Sequence, residues 1–318
     1  MTIADFLALT WEDGGQALIE PSYPSPVLAD PSFLFPSETP SGLWTLYAHS
    51  AFGINRFESA DGLSWKKRGM VSMNSMRAFV RKIDDEYLLF YEHYLPFALP
   101  LQLLPKRPRW RSHLELRRSR DLRRWSAPVS LIEADFDWSR DDSLGDSISN
   151  PCLIKMSDGW RLWFSSSLVT VPDCGFDEPL YIGCALGPSP GGPFLVEGKP
   201  RIDPSRDSLP GVLGAGSMKV VAMDDGWIGL QNKIYAGPDG KSRSAIFVLR
   251  SEEGLEFRLA REEPLIAPTR GWRASHVYAC DCRIDPRDGL VYLYFNARDG
   301  WYKAEGKERI GRIVGRLL

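Results

Sequence analysis

Apolar residues along this chain recur in short runs of alternating period, separated by turn-forming clusters, and a helical period is nearly absent. Runs such as LWTLYAHS, EYLLFYEHY, GWRLWFSSS and GLVYLYFNAR are rich in aromatic and β-branched residues. Such side chains suit a pleated, half-buried surface. The pattern predicts an all-β protein.

The runs group into a larger repeat of roughly 50 residues, the period of a propeller blade. The first copy reads ADPSFLF, LWTLYAHS and INRFESADGLSW between Ala29 and Trp65. The second, Met76 to Trp125, reads MRAFVRK, EYLLFYEHY and LELRRSRDLRRW. The third reads NPCLIK, GWRLWFSSS and LYIGCALGPSPGGPF, and the fourth SMKVVAM, GWIGLQNK and AIFVLRSEEGLEF. The fifth reads HVYACDCRI, GLVYLYFNAR and ERIGRIVGRL. Asp158-Gly159, Asp225-Gly226 and Asp288-Gly289 supply tight hairpin turns between first and second strands. These copies predict one domain over residues 1–318, a five-bladed β-propeller with four-stranded antiparallel blades around a central channel. The blades fall near 22–70, 71–130, 145–200, 207–265 and 270–318, and residues 1–21 supply the ring-closing strand. A β-sandwich of similar strands is the alternative, and the repeat favours the propeller.

In a blade the inner strand starts at one mouth of the channel and the second strand returns to it. First-strand starts offer Asp30, Arg77, Asn150, Ser217 and His276. Second-strand ends offer His49, Glu92, His93, Asn232, Asn296 and Arg298. Polar groups converging on a concave mouth make the default binding site. Two connections at this mouth read as long loops, Tyr94 to Arg111 and Leu168 to Asp177, and the first is apolar and proline-rich enough to wall the site.

Composition removes several alternatives. A net charge of −2 gives no field to gather nucleic acid or an anionic membrane. The most apolar stretch, Tyr94 to Pro105, is broken by three prolines and cannot span a bilayer. Met1 to Glu20 has no basic start and apolar run, so no signal peptide is expected. Cysteine is odd in number, and a bridge between Cys280 and Cys282 would be strained. Reduced thiols and a cytoplasmic location are the expectation. The basic stretch Lys106 to Trp125 fits the charged outer strand of a blade better than a nucleic-acid patch. The acidic stretch Glu133 to Asp146 reads as an inter-blade connection.

Blade one, with ADPS opening its inner strand and SADGLSW closing its third, resembles the five-bladed glycosidase superfamily of glycoside hydrolase families 43, 32, 68 and 117. The resemblance extends over nearly the whole chain as blade pattern. It implies a carbohydrate-active enzyme acting on a sugar or glycoconjugate. In family 43 a blade-one Asp is the general base, a blade-three Asp tunes pKa values and a blade-four Glu is the general acid. Asp30 matches the base, but the other two positions fall on Asn150 and near Gly216-Ser217. The family's blade-five histidine falls on His276, where a channel ion is an option; no other cofactor is implied.

An acid is still needed to protonate the leaving oxygen. Glu92 and His276 are the candidates at the same mouth, with His93 and His49 behind them. Blander roles stand beside each: Asp30 as a turn cap before Pro31, His276 as a core histidine, Glu92 and Arg77 as an ion pair. Arg77, His49, His93, Asn150, Ser217, Asn232, Asn296 and Arg298 are candidate substrate binders, and Trp272 and Trp301 candidate sugar platforms. A non-catalytic carbohydrate-binding propeller, or an enzyme modifying another small polar substrate, is the alternative function.

Overall fold

The computed structural model describes residues 1–104 and 106–317. Its strands form five sheets, one for each repeat, arranged as a five-bladed propeller; the blade strands pair antiparallel, and the short strand Gly145–Asp146 adds to blade two in parallel beside Trp110–Ser119. Blade one comprises Ala29–Leu34, Trp44–Ser50, Gly53–Ser59 and Lys66–Met73, from the channel outward. Blade two comprises Ser75–Ile83, Glu86–Tyr94, Trp110–Ser119 and Val129–Glu133. Blade three comprises Ile148–Met156, Gly159–Val171, Phe176–Gly187 and Leu195–Val196, and blade four Val212–Met223, Gly226–Ala236, Ser242–Ser251 and Arg258–Leu259.

Blade five takes three strands from the C-terminal end, His276–Ile284, Val291–Arg298 and Glu308–Arg316. Its outer strand is Thr10–Asp13, paired antiparallel with Glu308–Arg316. The chain start is tied down by side chains: the Met1 ammonium reaches Asp224 at 2.6 Å, and the Ile3 N–H donates to Asp225 at 2.7 Å. Among the described residues no helix is long and apolar enough to cross a membrane.

Faces of neighbouring blades bury aromatic residues against each other. Phe33 from blade one meets Tyr294 from blade five edge to face, with ring centroids 4.8 Å apart. The turn after the third strand explains the SADGLSW motif. The Asp61 carboxylate accepts the N–H groups of Leu63 and Ser64, both at 2.8 Å, and the Ser59 hydroxyl accepts from Gly62 at 2.9 Å. Ser119 and Asp121 repeat these bonds in blade two. At Gly62 (φ +68°) an added Cβ would meet the Tyr294 hydroxyl at 2.9 Å, so the turn needs glycine to close on its neighbour.

Deeper along the inner strands, charged residues fill the channel. Arg81 holds Asp281 through two bonds of 2.6 and 2.9 Å, and the Ser32 hydroxyl adds a third at 2.8 Å. Lys219 donates to the Pro151 carbonyl at 2.7 Å. All five cysteines are free and buried.

Candidate active site

Every inner strand breaks register near its start, where two residues bulge against one on the second strand. In the first four blades the bulge holds a left-handed residue: Asp30 (φ 51°), Arg77 (φ 58°), Asn150 (φ 52°) and Gly216 (φ 64°). Non-glycine residues rarely adopt this region, and they do so most often where function requires it. The blade-five bulge carries Tyr278 and Ala279. A bulge re-aims side chains away from the regular in-out alternation, here toward the channel mouth.

These bulges surround a cavity of about 510 Å³. Its floor is polar and includes Asp30, His49, Arg77, Asn150, Ser217, Asn232, Asn296 and Arg298, all expected from the sequence. Glu178, Glu308 and Tyr278 line it too. His49 Nδ1 lies 3.3 Å from Asp30 Oδ2. The Asn296 side-chain oxygen accepts the Asp30 backbone N–H at 3.1 Å, and its NH2 group donates to Glu308 at 2.6 Å. One amide thus fixes both Asp30 and Glu308.

Burial pushes the Glu178 carboxyl up to about 8, reinforced by Glu308, Asp30 and Asp177 and opposed by Arg77. Glu308 is pushed up to about 7 by burial and Asp30, against Arg298, Arg77 and the Asn296 bond. His49 is lowered to about 4 by burial and Arg77, against Asp30, so its ring is neutral at physiological pH. Among the described residues the buried Tyr278 hydroxyl has no hydrogen-bond partner, and it lies in the field of both Glu178 and Glu308.

Several predicted residues lie elsewhere. Glu92 is fully buried behind Arg77, which donates to it at 2.5 Å, while Trp110 Nε1 donates to its other oxygen at 3.0 Å. Both oxygens are occupied, so Glu92 aims Arg77 rather than facing the cavity. His276 packs behind Tyr278, stacked at 5.6 Å, with Trp301 at 5.1 Å and Phe176 at 5.9 Å. Burial and Arg298 lower it to about 4, which leaves no proton to give at neutral pH. Cations and aromatic rings surround it, and among the described residues no three His, Cys, Asp or Glu side chains are grouped to hold a metal ion.

His93 is not among the cavity-lining residues; it sits beside His113, ring centroids 5.2 Å apart, and 3.8 Å from Glu115. The expected tryptophan platforms are structural. Trp272 stacks on Phe295 at 5.6 Å and donates to the Gly15 carbonyl, and Trp301 covers His276. Asn232 spends its NH2 group on Ser244 and the Val277 carbonyl. The Arg298 guanidinium gathers the carbonyls of Gly300, Tyr302 and Lys303 and lies 4.6 Å over the Phe176 ring.

Glu178 and Glu308 were missed because both belong to third strands. A third strand starts at the mouth where the second ends, so its first residues belong to the same inventory. In blade three the segment that reads as a loop is a paired hairpin extending to Val171 and Phe176. That hairpin carries Glu178 to the cavity, opposite Val169.

No protein-family model and no curated protein sequence matches the chain. Solved structures do match in fold. One described as a glycoside hydrolase superposes with a TM-score of 0.69 at 12% identity, over 98% of this chain and 94% of that one. A thermostable family-43 glycoside hydrolase gives 0.60 at 15% identity, over 92% and 90%. An N-acetylgalactosamine deacetylase from F. plautii, in complex with blood group B trisaccharide, gives 0.62 at 14% identity, over 96% and 95%. The chain therefore has the fold of the five-bladed propeller glycoside hydrolases, as the blade-one motifs implied.

Proposed function

We propose that the protein is a glycoside hydrolase in which Asp30 is the base and Glu178 the acid. The observation that carries this reading is a pair of carboxyl groups on one cavity with different surroundings. Asp30 lies in the field of the Arg77 guanidinium, with His49 Nδ1 3.3 Å from its Oδ2. Glu178 is buried and held protonated to about pH 8. A carboxyl group that keeps its proton at neutral pH suits the acid role, and Asp30, at the start of the blade-one inner strand on the same cavity, is left for the base.

Asp30 takes a proton from water as the water oxygen bonds to the anomeric carbon. The glycosidic C–O bond breaks, and the Glu178 proton passes to the departing oxygen. Positive charge builds on the sugar ring, and Glu308 lies beside it. Asn150, Ser217 and Arg77 offer hydrogen bonds to the sugar hydroxyls. Asn150 replaces the carboxylate that family 43 uses to tune its acid, and burial beside Glu308 supplies that effect here.

A panel of aryl glycosides and oligosaccharides tests the proposal, with reducing sugar and released acetate measured together. Reducing sugar without acetate supports hydrolysis of a glycosidic bond. Acetate alone would move the protein toward the chemistry named for its deacetylase neighbour. Tight binding without either product would leave it a carbohydrate-binding propeller.

A further inference from the structure

The cavity is polar at its floor and aliphatic toward its mouth. Leu99, Pro100 and Leu103 line it from the insert after the second strand of blade two, and Leu168 and Pro179 face them from the blade-three hairpin. Part of this insert is the short helix Ala98–Leu101. Two contacts hold it over the mouth. Arg107 donates to Asp177 at 2.8 Å, and Lys303 donates to the Gln102 carbonyl at 3.2 Å. The insert keeps large apolar side chains in water, with Phe97 75% and Leu103 60% exposed.

Leu168 and Leu99 pack with Met76, Tyr94, Ala98 and Trp110 at the base of this wall, and a purely carbohydrate substrate leaves its outer part, Leu103 foremost, without a partner. Sugar rings present hydroxyls, which seek polar groups, and CH faces, which stack on aromatic rings. Trp272 and Trp301 are packed elsewhere; of the aromatic residues that line the cavity, Trp110 is buried, Phe176 lies under Arg298, Tyr278 is stacked on His276, and the exposed Phe52 belongs to blade one, outside the Leu99–Leu103 wall. The volume of about 510 Å³ also lies in the range for a small ligand rather than a polymer chain.

We propose that the outer half of the cavity binds an apolar aglycone, so that the substrate is an alkyl or aryl glycoside rather than an oligosaccharide. This rests on the glycosidase reading for its chemistry, but its binding signature is independent of turnover. The sugar sits against Asp30, Asn150 and Glu178. The aglycone lies along Leu99, Leu103, Leu168 and Pro179, directly outside the departing oxygen. Burying three or four methylenes of such a group tightens binding by roughly a hundredfold.

The test compares methyl and octyl glycosides of the same sugars, binding to wild type, Leu103→Asp and Leu104→Asp by calorimetry, with octyl glycosides below their micelle concentration. Leu104 is exposed and does not line the cavity, so its variant controls for general surface effects. The octyl compound of at least one sugar is expected to bind ten- to a hundredfold tighter than its methyl partner. Leu103→Asp removes most of that gain and Leu104→Asp keeps it. Equal affinity for methyl and octyl pairs, or a gain that survives Leu103→Asp, overturns the inference.

Failure of the glycosidase reading looks different. A Leu103-dependent gain with no hydrolysis of any compound leaves the apolar site standing and removes the enzyme. Hydrolysis of methyl glycosides and oligosaccharides without an octyl gain does the reverse. Light scattering at the assay concentration covers a competing occupant: a dimer that Leu103→Asp dissolves assigns the apolar wall to a second copy of this chain and overturns the proposal.

Discussion

Glu178→Gln keeps the shape of the side chain and removes its proton, so its effects separate acid catalysis from packing. A positioned general acid contributes about 10²–10⁴-fold to rate. The variant should lose that factor on glycosides with alkyl leaving groups. On dinitrophenyl glycosides, whose leaving group needs no proton, it should lose less than about tenfold. The wild-type kcat/KM should fall as pH rises through about 8, where Glu178 gives up its proton, and the variant should lack that limb.

Stability provides a second readout. The Glu178 carboxyl sits near 8 in the folded protein against an ordinary 4.5, so the folded state favours its protonated form. Its stabilising contribution is present below pH 4.5 and is lost as pH rises toward 8. Relative to wild type, Glu178→Gln should therefore gain stability with rising pH, by up to about 5 kcal/mol at pH 9. Urea denaturation at pH 5 and pH 9 measures this. Equal rate losses on both classes of leaving group, with a stability difference independent of pH, would refute the assignment of Glu178 as the acid.

Three further perturbations follow from the same geometry. Glu92→Ala takes the buried partner from the Arg77 guanidinium, which still faces the cavity, and the acceptor from Trp110 Nε1, and should destabilise the fold by about 1–3 kcal/mol in urea titrations; no measurable change would contradict the pair. His276 is held near 4 against an ordinary 6.5, so its contribution is present above pH 6.5 and lost as pH falls through 4. His276→Phe keeps the stack on Tyr278 and should remove up to about 3 kcal/mol of the acid-side loss, seen as a smaller shift in urea midpoint between pH 7 and pH 4.5. Gly216→Ala would place a Cβ 2.1 Å from the Asn232 carbonyl at φ +64° and should destabilise by more than about 1 kcal/mol, with a thermal shift to match.

The fold was legible because each blade repeats its own local chemistry. Alternating strands recur in all five blades, Asp-Gly hairpins in three and the Ser-x-Asp turn before a tryptophan in two, all at one period, and the propeller is the arrangement they share. Asp30, Arg77 and Asn150 were legible because they open inner strands. What the pattern did not carry was the bulge that turns them inward, since left-handed backbone at non-glycine residues leaves no composition signal. Blade five shows the consequence. His276 precedes the bulge, whereas Asp30, Arg77 and Asn150 sit within theirs, so Tyr278 reaches the cavity and the histidine packs behind it.

Glu92 illustrates a different limit. Strand position put it at the mouth, and only packing shows that Arg77 and Trp110 take both its oxygens. Glu178 and Glu308 reverse the case: ordinary carboxylates in third strands, raised in pKa by burial that no single residue announces. The tryptophans were misplaced for a related reason. Trp272 and Trp301 lie in connections near the mouth, yet Phe295 and His276 offer them apolar faces to cover.

The most direct measurement is kcat/KM of wild type and Asp30→Asn on the best glycoside from the panel. Asparagine keeps the size of the side chain but cannot take a proton from water. Loss of turnover by at least about a hundredfold, with binding retained, is the predicted result. Unchanged turnover in Asp30→Asn, or binding of glycosides by wild type with no hydrolysis of any of them, would contradict it.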